Sequence, residues 1–213
     1  MHPVIDASTR TSRLLVAALV AVTAVACTSG PPPPVDNRPY EEQVRAFRAA
    51  KDEMLRSSPE SPLTPEAKAS FRGLPYFPID PAFHVPAVLK EDRSGAPVII
   101  ELQTSTDELR RMKRVGTLGF TLAGTAYSLT AFADAETSAV TRLFVPFGDA
   151  TSGTETYQGG RYLDLDRTPT GLYDLDFNRA YHPYCVYTPS YVCPVPPREN
   201  RLTVAIRSGE RLP

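Results

Sequence analysis

The sequence predicts a mainly β domain of the α+β class, in which an antiparallel β-barrel or sandwich follows two N-terminal helices. Three observations support this prediction. Apolar residues recur at helical spacing over residues 40–56, and from residue 83 onward they alternate with polar residues, as in strands with one buried face. The segments between the predicted strands are too short for crossover helices, so neighbouring strands are expected to run antiparallel.

The first predicted helix spans residues 40–56. Val44, Phe47 and Met54 form one apolar stripe at helical spacing, and charged residues such as Lys51 lie on the opposite, polar face. This pattern is typical of a helix that packs on a domain.

A second, short helix is predicted after a Ser/Pro-rich loop. Thr64, Pro65 and Glu66 have the residue types of an N-cap, a first helical position and a first-turn acid. We expect this helix to end at Gly73, because glycine is the usual residue in the left-handed conformation that terminates helices.

Eight strands are predicted downstream of the helices. Leu118, Phe120 and Leu122 alternate with small or polar residues, and residues 123–125 have the composition of a hairpin turn. The predicted strands span residues 83–90, 97–104, 110–122, 126–133, 140–147, 161–166, 172–177 and 201–207.

The N-terminus has the pattern of an export signal followed by a lipid attachment site. Two arginines precede a mostly apolar segment, 14–26, which is shorter than the about 20 residues needed to span a bilayer. Residues 24–27 resemble a bacterial lipobox, which predicts a lipoprotein signal peptide at 1–26 and lipidation of Cys27; the alternative is ordinary cleavage near Ala26. Residues 27–39 are proline-rich and are expected to form an extended tether to a single domain at 40–213.

Charge gives no reason to expect a nucleic-acid partner. Without residues 1–26 the chain carries 21 basic and 23 acidic residues, a net charge near zero. The predicted partners are a membrane, through the lipid anchor, and a small-molecule ligand.

The C-terminal third is rich in polar and aromatic residues, since seven of the ten tyrosines lie between residues 144 and 210. The loop 149–157 offers hydroxyl and backbone N–H groups to a ligand, although such residues also favour turns without any ligand. Together with the polar residues that follow it, this loop supplies the ligand-binding candidates, which are Asp149, Thr151, Ser152, Glu155, Tyr157, Arg161, Asp176, Asn178 and Tyr181.

Four aspartates in this region suggest a second kind of site. If residues 167–171 joined two strands as a hairpin, Asp164, Asp166, Asp174 and Asp176 would converge on one face of the sheet. Oxygen ligands of this kind suit Ca²⁺ or Mg²⁺, but a solvated sheet face with arginine partners is the favoured interpretation.

The cysteine pair Cys185 and Cys193 is predicted to form a disulfide, which is the default outside the cytoplasm. A zinc site with His182 and both cysteines is the weaker alternative. A catalytic triad of Ser152, His182 and an aspartate has little support, because the mature chain holds only two histidines.

Motifs along the chain resemble the domain of unknown function 1684 family. They include residues 71–74, 76–81, 143–147, 149–153 and 160–164, and the ending 197–202. The resemblance covers about residues 40–210 and implies no function and no catalytic residue. In three positions the chain departs from the family pattern: Phe47 replaces tryptophan, Gly148 replaces arginine and His182 replaces asparagine.

The sequence therefore predicts an extracytoplasmic lipoprotein of the cell membrane that binds a small ligand or a component of the cell envelope. A hydrolase with a metal- or carboxylate-based site in the C-terminal region is the alternative, and a purely structural role for that region is a third possibility. Whether the protein is an enzyme, and which cofactor it uses, stay open at this point.

Overall fold

The computed structural model describes residues 36–92 and 95–213, so the predicted signal peptide, Cys27 and most of the tether lie outside the described residues. Residues 37–213 form one compact unit. Its architecture is a mostly antiparallel sheet that closes almost completely into a barrel, accompanied by two helices. The predicted fold class is confirmed, and the barrel alternative is the one observed. Within the described residues no helix is long and apolar enough to cross a membrane.

Both predicted helices are present. Helix α1 spans Tyr40–Ser57 and helix α2 spans Pro65–Ser70. The hydroxyl of Thr64 accepts the N–H of Ala67 at 3.2 Å, which is the expected N-cap. The predicted end at Gly73 is wrong, because α2 ends at Ser70, before the glycine is reached.

Seven of the eight predicted strands form. They are β1 (His84–Glu91), β2 (Val98–Gln103), β3 (Leu109–Leu122), β4 (Thr125–Asp134), β5 (Arg142–Phe147), β6 (Arg161–Asp166) and β7 (Leu172–Asp176). The sheet order is β6-β5-β4-β3-β1-β7, and β2 pairs with the first half of the long strand β3, on the same edge that β1 occupies farther along. All strand pairs are antiparallel.

The eighth predicted strand, 201–207, is wrong. This segment makes an isolated bridge between Arg201 and Gly148 and otherwise lacks ladder pairing. Leu202 and Val204 bond the backbone of Gly148 and Ala150, at 2.8 and 3.1 Å. At Ile206 buried side chains take over, since its carbonyl accepts from Arg161 and its N–H donates to Asp149.

The barrel closes between the two ends of the sheet. After β7 the chain makes a short 3₁₀ turn, Phe177–Arg179, and then pairs with β6. Tyr162 and Tyr181 exchange both backbone hydrogen bonds, at 2.9 and 3.1 Å. Residues just beyond the last strand therefore supply the contact that joins the sheet edges.

The core fills the barrel with alternate residues of each strand. Leu143, Val145 and Phe147 of β5 point into the main cluster, whereas Phe144 packs on a smaller cluster on the opposite face. The smaller cluster contains Met112 and lies beside the cavity described below. The predicted alternation along the strands accounts for both clusters.

A buried asparagine joins two strands that have few ladder bonds. Strands β4 and β5 share one register pair, Phe132 with Phe144. Farther along, Asn200 accepts the N–H of Thr130 at 2.7 Å and donates to the carbonyls of Thr130 and Pro146 at 2.9 and 2.7 Å. The Asn200 amide thus bonds backbone groups of β4 and β5 that would be left unpaired where the ladder between the two strands is interrupted.

Candidate functional site

The residues singled out by the sequence are mostly buried inside the fold. Arg161 is fully buried and donates to Asp149 Oδ2 at 2.9 Å, to the carbonyl of Ile206 at 2.7 Å and to that of Glu210 at 3.0 Å. It also donates to the carbonyl of Ser208. Burial without water lowers the pKa of Arg161, and the Asp149 carboxylate opposes that shift. Arg161 therefore ties the C-terminal segment to the barrel.

The loop that follows β5 is organised by its own side chains. Asp149 Oδ1 accepts the N–H and the hydroxyl of Thr151 at 2.8 and 2.6 Å, and Ser152 Oγ accepts the Asp149 N–H at 3.1 Å. Thr151 and Thr156 share a hydroxyl contact of 2.9 Å. Side-chain hydrogen bonds of this kind stabilise turns without any ligand, as the alternative interpretation of this loop expects. Glu155 is set apart, in an exposed ion pair with Arg207 at 2.8 Å.

Asp176 and Asn178 anchor the start of α1. Asp176 Oδ1 accepts the Tyr40 hydroxyl at 2.8 Å, and Asn178 Nδ2 donates to the same hydroxyl at 2.8 Å. Asn178 also bonds both backbone groups of Asp80, at 2.9 and 2.8 Å. Desolvation, followed by the Asp176 carboxylate, raises the pKa of Tyr40 well above its usual range. These two candidates hold separate chain segments together.

The predicted carboxylate hairpin is wrong. Strands β6 and β7 lie at opposite ends of the sheet order, because β6 pairs with β5 and β7 pairs with β1. Asp166 bonds Arg142 at 3.2 Å, Asp174 lies 3.9 Å from His84, and Asp164 accepts a tyrosine hydroxyl. In residues 36–92 and 95–213 no group of three or more His, Cys, Asp or Glu side chains is arranged to hold a metal ion.

The two cysteines are neighbours, and their sulfurs are not bonded to each other in this structure. The Cys185 N–H donates to Cys193 Sγ at 3.1 Å, and Cys185 Sγ lies 4.0 Å from the Tyr157 hydroxyl. Burial raises the pKa of the Cys193 thiol to about 12. The disulfide remains a prediction. The zinc alternative does not form, because His182 bonds elsewhere.

A buried ionic group surrounds His182. Its backbone N–H donates to Glu210 Oε2 at 2.7 Å, and its ring Nε2 accepts the backbone N–H of Tyr157 at 3.3 Å. Burial lowers the pKa of His182 to about 3, and the nearby cations Arg161 and Lys51 contribute. The imidazole is therefore neutral near neutral pH.

Lys51 was predicted on the polar face of α1, and that placement is wrong. Its Nζ lies 2.5 Å from Glu210 Oε1 and 4.3 Å from the ring centre of Tyr181. Desolvation lowers the pKa of Lys51, and the Glu210 carboxylate opposes the shift. The helix is drawn onto the barrel by this charge pair as well as by its apolar stripe.

An open cavity of about 750 Å³ lies between α1 and the sheet. One wall is α1, through Phe47, Ala50, Lys51 and Met54. The floor is the outer face of the sheet, and the second wall is the segment after the barrel closure. The floor and second wall consist of Arg110, Met112, Asp134, Phe144, Tyr162, Asp164, Tyr181, Pro183, Tyr184, Tyr191, Val192, Cys193 and Pro194.

Few polar groups of the cavity are placed to meet a ligand. Asp164 is exposed, and its Oδ2 accepts the Tyr181 hydroxyl at 2.8 Å. Arg110 and Asp134 form an ion pair at 3.2 Å, with both side chains about half exposed. The rings of Tyr184 and Tyr191 meet edge to face at 5.4 Å. Desolvation raises the pKa of Tyr184 and of Tyr181, so both hydroxyls stay protonated.

Comparison with known proteins assigns the family. The family described as "Protein of unknown function (DUF1684)" matches residues 69–211. The chain belongs to the DUF1684 family. No curated protein matches it.

A solved structure supports the assignment. An uncharacterized protein of Haloarcula marismortui, determined in solution by NMR, is 39% identical over 81% of this chain and 94% of its own, with a TM-score of 0.64. The match covers nearly the whole of that relative, and residues 37–213 form one compact unit in this chain, so this fragment suits solution experiments.

Of the predicted ligand-binding candidates in this DUF1684 member, Tyr181 alone lines the cavity, and Cys193 of the predicted disulfide lines it as well. The remaining candidates were chosen because they are polar. In the structure, most of these polar side chains hydrogen-bond the backbone of irregular segments and are not open to a ligand. The signals for the cavity were the apolar stripe of α1, with Phe47 and Met54, and the tyrosine-rich segment with Tyr184 and Tyr191. The sequence did not indicate that the apolar stripe of α1 and the tyrosine-rich segment would face each other across one cavity.

Proposed function

We propose that this DUF1684 protein is a membrane-tethered module that binds a small ligand in the cavity between α1 and the segment after the barrel closure. The cavity itself carries the proposal. Its volume, about 750 Å³, lies in the range typical of small-molecule sites, and its lining is mostly aromatic and apolar with a few polar groups. Those polar groups, led by Asp164, are of the kind that orients a ligand.

The walls of the cavity are rigidly supported, as a preformed site requires. Helix α1 is fixed to the barrel by the ion pair of Lys51 with Glu210 and by the hydrogen bond from the Tyr40 hydroxyl to Asp176. The facing segment is held by the backbone pair of Tyr181 with Tyr162 and by the Tyr162 hydroxyl on the carbonyl of Pro194. A ligand would therefore enter a formed cavity without ordering it.

The location we propose is the outer side of the cell membrane, with the domain held by a lipid on Cys27. The support is in the sequence, which has an export signal over 1–26, a lipobox-like cysteine and a proline-rich tether. More than one acyl chain at this cysteine would give stable anchoring, where a single chain is marginal. The hydrolase alternative has no comparable support, because the carboxylates on which it relied lie apart.

A matched pair of variants tests the cavity. Ala50 lines it and Ala49 is exposed on the same helix outside it. We expect Ala50→Trp to fill the cavity and abolish the chemical-shift changes that small molecules of a metabolite library cause in residues 37–213, whereas Ala49→Trp leaves them intact. If no compound shifted cavity resonances, or if Ala50→Trp changed nothing, the proposed site would be wrong.

A further inference from the structure

The charges around the cavity do not cancel. Two of its cations are already paired with carboxylates, Lys51 with the buried Glu210 at 2.5 Å and Arg110 with Asp134 at 3.2 Å. Each of these pairs is close to neutral as seen by a ligand. The remaining charged group of the lining is Asp164.

The carboxylate of Asp164 is open to the cavity. Its hydrogen-bond partner is the neutral hydroxyl of Tyr181 at 2.8 Å, and no cationic side chain in the described part of the chain forms an ion pair with it. The residue is exposed and lines the cavity. Lys51 is near enough to interact with this carboxylate, but its own ion pair is with Glu210, so a ligand that approaches Asp164 meets a carboxylate without an ion-pair partner of its own.

Aromatic rings form much of the cavity lining that this carboxylate shares. An aromatic face is attractive to a cation, and the attraction grows when the cation is desolvated. The protein already uses its rings in this way, since Lys51 lies over Tyr181 at 4.3 Å and Arg179 over Phe47 at 5.3 Å. The rings that line the cavity are Phe47, Phe144, Tyr162, Tyr181, Tyr184 and Tyr191.

We propose that the cavity takes an organic cation of the ammonium class that carries apolar or aromatic substituents. The ammonium group would lie by Asp164 among the tyrosine rings, and the substituents would pack on Phe47 and Met54. This inference rests on the proposed function. Charge complementarity distinguishes this ligand class from the others: an anion would be repelled by Asp164, and an uncharged molecule would supply no counter-charge to that carboxylate.

The test compares three probes that differ in charge and little in shape. They are benzyltrimethylammonium, its uncharged carbon analogue neopentylbenzene, and phenylacetate. Binding to residues 37–213 is measured by chemical-shift titration. We expect the cation to bind about 5- to 30-fold more tightly than its carbon analogue, the range that a cation over aromatic rings gives, and phenylacetate to bind most weakly.

Two variants on the same strand locate the effect. Asp164→Asn removes the charge and keeps an oxygen that can accept the Tyr181 hydroxyl, so it is expected to weaken the cation about 2- to 5-fold and to leave the carbon analogue unchanged. Asp166→Asn is the matched control, because Asp166 is exposed, pairs with Arg142 and does not line the cavity. It is expected to change neither probe.

The outcomes separate the ligand class from the site. If the carbon analogue or phenylacetate bound as tightly as the cation, or if Asp164→Asn had no effect, the ligand class would be wrong while the cavity remained a binding site. If a peptide of residues 28–39 occupied the cavity more tightly than the ammonium probe, its occupant would be the chain's own tether and the inference would fail. If no probe and no library compound bound, both proposals would fail.

Discussion

Arg161 and Asp149 form a fully buried ion pair at 2.9 Å, in which neither side chain is more than 1% exposed. The pair is closed to a ligand, and its remaining hydrogen bonds go to the backbone of residues 206–210 and to the backbone and hydroxyl of Thr151 in the loop after β5. Buried polar residues of the C-terminal third thus bond the irregular chain of residues 206–210, whereas the accessible polar groups line the cavity beside α1.

Removing the arginine of this pair should greatly lower the free energy of unfolding. Arg161→Met would leave the Asp149 charge buried without a partner and several carbonyls unbonded, so we expect a loss of about 3–5 kcal/mol in the free energy of unfolding. Denaturant unfolding of residues 37–213 measures it. Arg142→Met, at an exposed pair, is the control and should cost about 1 kcal/mol or less. Equal losses in the two variants would contradict a structural role for Arg161.

Asn200 should be essential for the junction of β4 and β5. Asn200→Ala removes its bonds to Thr130 and Pro146, and each buried backbone group left unpaired costs about 1–3 kcal/mol. We expect faster amide hydrogen exchange at Thr130 and a lower unfolding free energy, whereas the exposed neighbour Glu199→Ala should change neither. Unchanged exchange at Thr130 would show that β4 does not depend on this amide.

Burial of His182 should make the free energy of unfolding fall as the pH is lowered. Its pKa in the folded state is about 3, below the unfolded value of 6.5, so the unfolded chain binds more protons between these values. The contribution is complete above about pH 6.5 and is lost as the pH falls towards 3, with a slope of at most about 1.4 kcal/mol per pH unit. We expect His182→Asn to be less acid-sensitive and His84→Asn to keep the original dependence. Identical slopes for His182→Asn and the unmodified protein would contradict the burial of a neutral imidazole.

The neighbouring thiols should be joined by oxidation. Cys185 and Cys193 are close enough for the backbone N–H of one to reach the sulfur of the other at 3.1 Å. After expression in an oxidising compartment we expect no free thiol in residues 37–213 without reductant and two with it, and a stabilisation of about 2–3 kcal/mol for a loop of this length. Two free thiols without reductant would leave the disulfide prediction wrong.

Cys27 should carry the membrane anchor. When the full chain is expressed in a bacterium supplied with labelled palmitate, we expect label in the membrane-bound protein. Cys27→Ser should lose both label and membrane association, and Cys185→Ser should keep both. If the Cys27→Ser protein were labelled, or if the unsubstituted protein were not, the lipoprotein proposal would be wrong.

The local features of the fold were predictable from sequence. The N-cap at Thr64, the stripe of α1 and the alternation in β3 depend on neighbours a few residues away, and each is observed. Strand pairing is a non-local property, which is why β6 and β7, adjacent in sequence, were assigned to each other although they bond to different partners.

The cavity was out of reach for the same reason. Phe47 and Tyr191 face one space but lie far apart in the chain, and no spacing rule relates them. Lys51 shows the limit most clearly: a lysine on a polar helix face normally meets water, and Glu210, which draws it inward, is near the other end of the chain.

The most direct measurement is the site of ligand contact in solution. A chemical-shift titration of residues 37–213 with benzyltrimethylammonium should give saturable shifts at Phe47, Asp164, Tyr181 and Tyr184, and Ala50→Trp should abolish them. Shifts that lie elsewhere on the barrel, or that persist in Ala50→Trp, would contradict the claim that this cavity is the ligand site.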